Sequence, residues 1–196
     1  SLKDLKFQNV PNLEGFFVKE AVMPFNKFQN VDPILGPEMR STGEVMGIGN
    51  SFAEAFEKAE VGAGVEIPKE GSVFISVRDT DKQFLSEIVP SLVEEDFKLI
   101  ATKGTASVIK NMGFKVSQIK KVIEGRPNIV DLMKNKEVNL VINTTEGRES
   151  ILDSASIRRT ALDEKICCTT TIKGAKAICE VITKKVDWSY RKLQDI

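Results

Sequence analysis

Ser72-Val73-Phe74-Ile75-Ser76-Val77 decides the fold of this 196-residue chain. The run is apolar and β-branched, which is the composition of a buried strand. Thr80-Asp81-Lys82-Gln83 follows and starts a helix, with Phe84, Ile88 and Leu92 recurring at helical spacing. The same alternation then continues. Phe97–Ala101 reads as a strand and Thr105–Met112 as a helix; Gln118–Ile123 reads as a strand and Asn128–Asn135 as a short helix. Val138–Ile142 and Asp153–Glu164 repeat the pair, as do Ile166–Thr169 and Ile172–Lys184. Strand and helix in strict rotation imply a parallel sheet covered on both faces. The expected fold is therefore α/β, a doubly wound parallel five-stranded sheet spanning residues 72–196.

Upstream the pattern changes. Residues 65–71, with Pro68 and Gly71, read as a linker. Residues 1–64 read as a separate piece. Gly15–Glu20 is a strand candidate, and Ser51-Phe52-Ala53-Glu54 has the form of a capping box opening a helix. Phe52, Phe56 and Ala59 share one face of that helix, and Gly62 and Gly64 stop it. Between them lies Asp32-Pro33-Ile34-Leu35-Gly36-Pro37-Glu38-Met39-Arg40-Ser41-Thr42-Gly43-Glu44-Val45-Met46-Gly47, which has neither the period of a helix nor the alternation of a strand. Irregular backbone dense in charge is how a loop, a ligand site or a domain junction is built. One helix with a strand or two cannot bury itself, so residues 1–64 read as a fragment of a larger domain.

Composition narrows the function. Hydrophobic residues make up 41%, enough for a core, and Lys+Arg 28 balances Asp+Glu 28. A neutral balance gives no long-range pull on nucleic acid or an anionic membrane. No apolar run approaches spanning length and no signal-peptide pattern opens the chain, so a cytoplasmic protein is expected. Histidine is absent, which removes the commonest general base and metal ligand. Cys167, Cys168 and Cys179 form no Cys-x-x-Cys pair. Adjacent on a strand, Cys167 and Cys168 must point to opposite faces, and the three read as buried free thiols rather than metal ligands.

Ligands of such sheets bind beyond the carboxyl ends of the strands. Those ends carry Asp79 and Lys82, then Thr102-Lys103-Gly104-Thr105, then Lys121, then Asn143-Thr144-Thr145, and finally Thr169-Thr170-Thr171. Hydroxyls, amides and ammonium groups are what an anionic, hydrogen-bonding ligand needs. Gly104 is read as permitting a tight turn into a helix, so that free N–H groups and the positive helix end face outward. The helix contributes roughly 0.3–1 kcal/mol toward a bound anion, and charged hydrogen bonds about 1.5–3 kcal/mol each. Lys120 and Lys121, read as neighbours on a strand, would point opposite ways.

The wording of several segments closely resembles the large subunit of carbamoyl phosphate synthetase. The segment 32–47 and the preceding Val18-Lys19-Glu20-Ala21-Val22-Met23-Pro24-Phe25-Asn26-Lys27-Phe28 resemble the end of its second ATP-grasp synthetic domain. Ala101-Thr102-Lys103-Gly104-Thr105, Lys121-Val122, Glu124-Gly125-Arg126-Pro127-Asn128, Val141-Ile142-Asn143-Thr144-Thr145 and Ile157-Arg158-Arg159-Thr160-Ala161 resemble its methylglyoxal-synthase-like allosteric domain. The resemblance implies nucleotide-phosphate contacts, to uridine or inosine monophosphate (UMP, IMP), from Lys82, Thr102, Thr105, Lys121, Asn143 and Thr145. It implies ornithine contacts from Glu20, Leu35 and Thr170. Two positions depart from the family pattern: Lys103 stands where many members have His, and Thr169 where an acid is usual. The parent ligase uses Mg·ATP and a glutamine amidotransferase small subunit, and homo-oligomers are in keeping with it. The metal-binding groups of its second site lie upstream of this chain, and no Gly-x-x-x-x-Gly-Lys-Ser/Thr loop replaces them. The chain is thus expected to bind effectors without catalytic residues, metal or cofactor of its own. The alternatives are a methylglyoxal-synthase-type lyase acting on dihydroxyacetone phosphate, and a pure interaction module built on the Pro/Gly segment.

Overall fold

The computed structural model describes residues 14–23 and 43–190, with positions 4, 25, 192 and 194. Its elements run β1 (Phe16–Val22), β2 (Gly43–Gly49), α1 (Phe52–Gly62), β3 (Ser72–Ser76), α2 (Leu85–Glu94), β4 (Lys98–Thr102), α3 (Lys103–Asn111), β5 (Ser117–Ile119), α4 (Ile129–Lys134), β6 (Leu140–Asn143), α5 (Arg148–Asp163), β7 (Cys167–Thr169) and α6 (Ile172–Lys184). A tight helical turn, Asp79–Phe84, leads into α2.

The expected parallel sheet is present, in the order β5-β4-β3-β6-β7 with every pairing parallel. β3 is its pivot: the chain first builds outward through β4 and β5, then crosses back to β6 and β7. The crevice at such a reversal is where open α/β sheets bind ligands. Period-two alternation sorts β3 between the layers. Val73 and Ile75 join Leu99, Ala101, Leu140, Ile142 and Cys167 against α2, α3 and α6. Phe74 and Val141 face the other way, against Ile129 and Met133 of α4 and Ile157 and Ala161 of α5. Burying one such large side chain contributes about 1.5–3 kcal/mol. Cys167 and Cys168 do point to opposite faces, Cys167 in the first layer and Cys168 packed on the second. Burial pushes the thiols of Cys168 and Cys179 up to about 12, so they sit as small apolar groups.

β1, β2 and α1 form a smaller unit. β1 and β2 pair antiparallel, from Phe16 opposite Gly49 to Val22 opposite Gly43. Gly43–Gly47, read from sequence as irregular, is therefore the first part of a strand; residues 32–42 lie outside the described residues. Its glycines hide the alternation, and α1 needs one of them: a Cβ on Gly47 would stand 1.9 Å from the Ala55 carbonyl oxygen. The buried face of α1 is accordingly small, with Ala53, Ala55 and Ala59, while Phe52 and Phe56 stack beside it at 5.6 Å. Ser51 caps α1 by accepting the Glu54 N–H at 3.2 Å, as its sequence suggests.

This unit is not hung on a free tether. Ile67, inside the expected linker, is buried in the main core together with Ala53 of α1. The chain after α6 also folds back onto α1. Ser189 donates its N–H and its hydroxyl to Glu54 Oε1 at 2.8 and 2.6 Å, and Trp188 Nε1 donates to Glu57 Oε2 at 2.9 Å. Burial pushes the Glu54 carboxyl up, but the bonds from Lys58, Ser189 and Asn50 outweigh it and bring it to about 2.

Candidate functional site

The carboxyl ends of β3, β4 and β6 open on a cavity of about 520 Å³, within the size range of small-ligand pockets. Lys82, Thr102, Thr105, Lys121, Asn143 and Thr145 all line it, so the residues expected at a nucleotide phosphate come together.

Each is placed by the element before it. Thr102 ends β4 and is the residue before α3, yet its hydroxyl lies 3.2 Å from the Ser76 hydroxyl instead of capping the helix. The first-turn N–H groups of α3 therefore keep no side-chain cap and face the cavity. Thr105 is buried, and its oxygen accepts the Val77 N–H at 3.2 Å, which leaves its own proton to point elsewhere. Thr144 joins the ends of β3 and β6: its N–H donates to the Ser76 carbonyl at 3.0 Å, and its hydroxyl accepts the Arg78 N–H at 3.1 Å. Asn143, 1% exposed, presents a buried amide nitrogen with no hydrogen-bond partner. A buried unsatisfied donor costs about 1–3 kcal/mol, and an oxygen-rich ligand in the cavity would satisfy it.

Gly104 works differently from its sequence reading. It sits within the first turn of α3, at no left-handed angle, so it makes no tight turn. Its missing side chain leaves room instead: a Cβ there would stand 3.2 Å from the Lys82 ammonium. Lys121 is also corrected. β5 ends at Ile119, so Lys120 and Lys121 are not strand neighbours; Lys121 precedes a short helical turn, Val122–Glu124, and its N–H donates to Glu124 Oε2 at 2.9 Å. Asn128 stays a structural cap, accepting the Val130 N–H at 3.0 Å and donating to the Gly125 carbonyl at 3.1 Å.

Sequence reading missed Ser76, Arg78, Glu146, Ser150 and Ser154 as cavity residues. Ser150 and Ser154 share a face of α5, which begins at Arg148 rather than at Asp153. The 150/154 spacing was the available signal. Asp79 bridges Lys82 at 2.6 Å.

The residues expected at ornithine are not gathered in this way. Leu35 lies outside the described residues. Glu20 is on β1 and Thr170 follows β7, and neither lines the 520 Å³ cavity or the one described next. Burial raises the Glu20 carboxyl above its ordinary range. Burial, reinforced by the charge of Glu20, pushes Glu60 of α1 up to about 7. A larger opening of about 880 Å³ lies at the amino ends of β6 and β7, around Val138, Ile166, Cys167 and Trp188. Four of its charged groups are paired with each other, Lys69 with Glu57 and Lys136 with Glu164. The smaller cavity, with its open helix end and unsatisfied amide, is the better ligand site. Among the described residues no cluster of Cys, Asp or Glu could hold a metal ion, and no helix is long and apolar enough to cross a membrane.

Residues 85–170 match the MGS-like domain family. The chain is 59% identical over 181 residues to the carbamoyl phosphate synthase large chain of Pseudomonas aeruginosa, covering 92% of this chain and 17% of that protein. It is 54% identical over 198 residues to the large chain of Pseudomonas syringae pv. tomato, covering 100% and 18%. It is 51% identical over 182 residues to that of Pasteurella multocida, covering 92% and 17%. Among solved structures, methylglyoxal synthase from Elizabethkingia anophelis NUHP1 aligns with 58% of this chain and 79% of its own, at 16% identity and a TM-score of 0.48. The chain thus belongs with the carbamoyl phosphate synthase large chains, spanning about 17% of the length of the relatives it matches, and it carries an MGS-like domain.

Proposed function

We propose that this chain is the effector-binding, regulatory region of a glutamine-hydrolysing carbamoyl phosphate synthase, and that the cavity at the ends of β3, β4 and β6 holds the phosphate of a nucleoside monophosphate, UMP or IMP. The convergence of Lys82, Thr102, Thr105, Lys121, Asn143 and Thr145 on one cavity carries this reading. The uncapped first turn of α3 supplies N–H groups and a positive dipole end to the phosphate. Lys82 and Lys121 supply charge, and the Thr105 hydroxyl and the Asn143 amide supply directed donors. Residues 72–196 act as the sensor and residues 1–64 as the end of an ATP-grasp synthetic domain whose Mg·ATP groups lie elsewhere in the parent enzyme. The chain alone then binds without turning over. Its partner in the parent complex is the glutamine amidotransferase small subunit, and it works in the cytoplasm in arginine and pyrimidine biosynthesis.

Regulation requires the effector to favour one arrangement of the two parts, with a coupling of about 1–3 kcal/mol. The tail bonds from Ser189 and Trp188 to α1, and Ile67 in the core, give such a coupling a physical route. We place the ornithine ammonium at Glu20. Burial raises the Glu20 carboxyl, and its charge adds to the burial that raises the neighbouring Glu60, so a cation at Glu20 would offset both effects.

Titration calorimetry of the chain with UMP and IMP tests the reading. Saturable binding of one of them, weakened by Lys121→Ala, supports it; no heat with either refutes it. The methylglyoxal-synthase alternative needs the His of that family's pattern, which this sequence lacks, so a colorimetric methylglyoxal assay should remain blank.

A further inference from the structure

The tight turn Asp79–Phe84 brings two opposite charges to the cavity wall. Lys82 Nζ lies 2.6 Å from Asp79 Oδ1, and both residues line the cavity. The same ammonium lies over the first turn of α3, 3.2 Å from where a Gly104 Cβ would stand. It therefore stands where the helix amides face the cavity. The Asp79 carboxylate is thus held next to the anion subsite of the chain itself. The two side chains are held very differently: Lys82 is 25% exposed and Asp79 93% exposed. The carboxylate reaches in from the solvent side with nothing packed around it, so rotation about its own side-chain bonds frees the ammonium. The bond from Lys82 and its charge, with Lys121 adding to them, hold the Asp79 carboxyl below the ordinary carboxylate range despite partial desolvation. Both cavity lysines therefore feel this carboxylate.

We propose that Asp79 is a built-in competitor for the ligand's phosphoryl group: it neutralises Lys82 in the empty cavity and must swing out when a phosphate takes that ammonium. The proposal rests on the phosphate-binding reading above. It also supplies selectivity. A carboxylate ligand would replace like with like at Lys82, whereas a phosphate brings nearly two charges and three acceptor oxygens. Because the pair is exposed it is weak and readily exchanged.

The test is titration calorimetry of the whole chain with UMP and with inorganic phosphate, using wild type, Asp79→Asn, Lys82→Met and the double variant. Asp79→Asn should tighten both ligands about two- to fivefold, the range of one exposed ion pair. In the Lys82→Met background the same substitution should give no comparable gain. Thermal melting of Asp79→Asn, unchanged because the side chain is exposed, checks the fold. If wild type binds UMP and Asp79→Asn binds it no tighter, the competitor role is wrong while the phosphate cavity stands. If the gain persists undiminished without Lys82, Asp79 acts only by general repulsion and the proposal is overturned. If no variant binds either ligand, both readings fall together.

Discussion

Replacing Thr105 by Val separates the two tasks of one hydroxyl. Thr105 Oγ1 accepts the buried Val77 N–H at 3.2 Å, and its proton remains for an acceptor in the cavity. Valine keeps the shape and removes both bonds. The Val77 N–H is then left without its partner, at a cost of about 1–3 kcal/mol in stability. For a chain of this size that lowers the melting temperature by roughly 2–12 °C. The bond donated to a charged phosphate oxygen is a separate loss of about 1.5–3 kcal/mol, or roughly 10- to 150-fold in Kd. Thr105→Ser restores the oxygen and both bonds, and should bind within a few-fold of wild type. Calorimetry with UMP gives the Kd of each variant, and a thermal melt gives the stability. If Thr105→Val melts lower but binds UMP as tightly as wild type, the hydroxyl serves the strand end alone and its assignment to the ligand is wrong.

Three further outcomes follow from the same geometry. Lys121→Ala should weaken UMP, and the log Kd of the variant should depend less steeply on salt, because one cation has left the site; an unchanged salt slope would contradict the role of Lys121. Gly47→Ala should destabilise the chain by at least about 1–3 kcal/mol in urea unfolding, because the new methyl meets the α1 backbone at Ala55 and Ala59; a neutral result would refute the close packing of β2 on α1. Glu60, pushed up to about 7 by burial and by Glu20, favours the fold while protonated. Wild type should therefore lose stability as pH rises from about 4.5 through 7, by about 1–2 kcal/mol after discounting for solvent screening. Glu60→Gln should remove that slope, and an identical pH profile for the two proteins would contradict the pairing.

Much of the parallel sheet was legible because β3 and β6 are continuous apolar runs and their helices show period-3.6 faces. β2 was not, because Gly43, Gly47 and Gly49 interrupt its alternation; the reason for Gly47 and Gly49, contact with α1, is a tertiary fact. β5 ends early, so Lys121 stands just before a helical turn, where its apolar neighbours Val122 and Ile123 suggested a continuing strand. The site positions were legible because a doubly wound sheet gathers its strand ends at one rim. What each residue does there was less so. The Thr105–Val77 bond, the unsatisfied Asn143 amide and the Gly104–Lys82 approach depend on pairs far apart in the sequence or on burial, which no local pattern encodes. Ser150 falls outside the helix expected from Asp153, whereas α5 begins at Arg148, and the folding of Ser189 onto Glu54 joins residues 135 apart.

The most direct test is a ¹⁵N-resolved NMR titration of the chain with UMP. The account predicts saturable shifts of the Lys103, Gly104 and Thr105 amides and of the Asn143 side-chain NH₂, with inorganic phosphate moving the same signals. Shifts confined to the 880 Å³ opening around Trp188, or no saturable change at the start of α3, would contradict it.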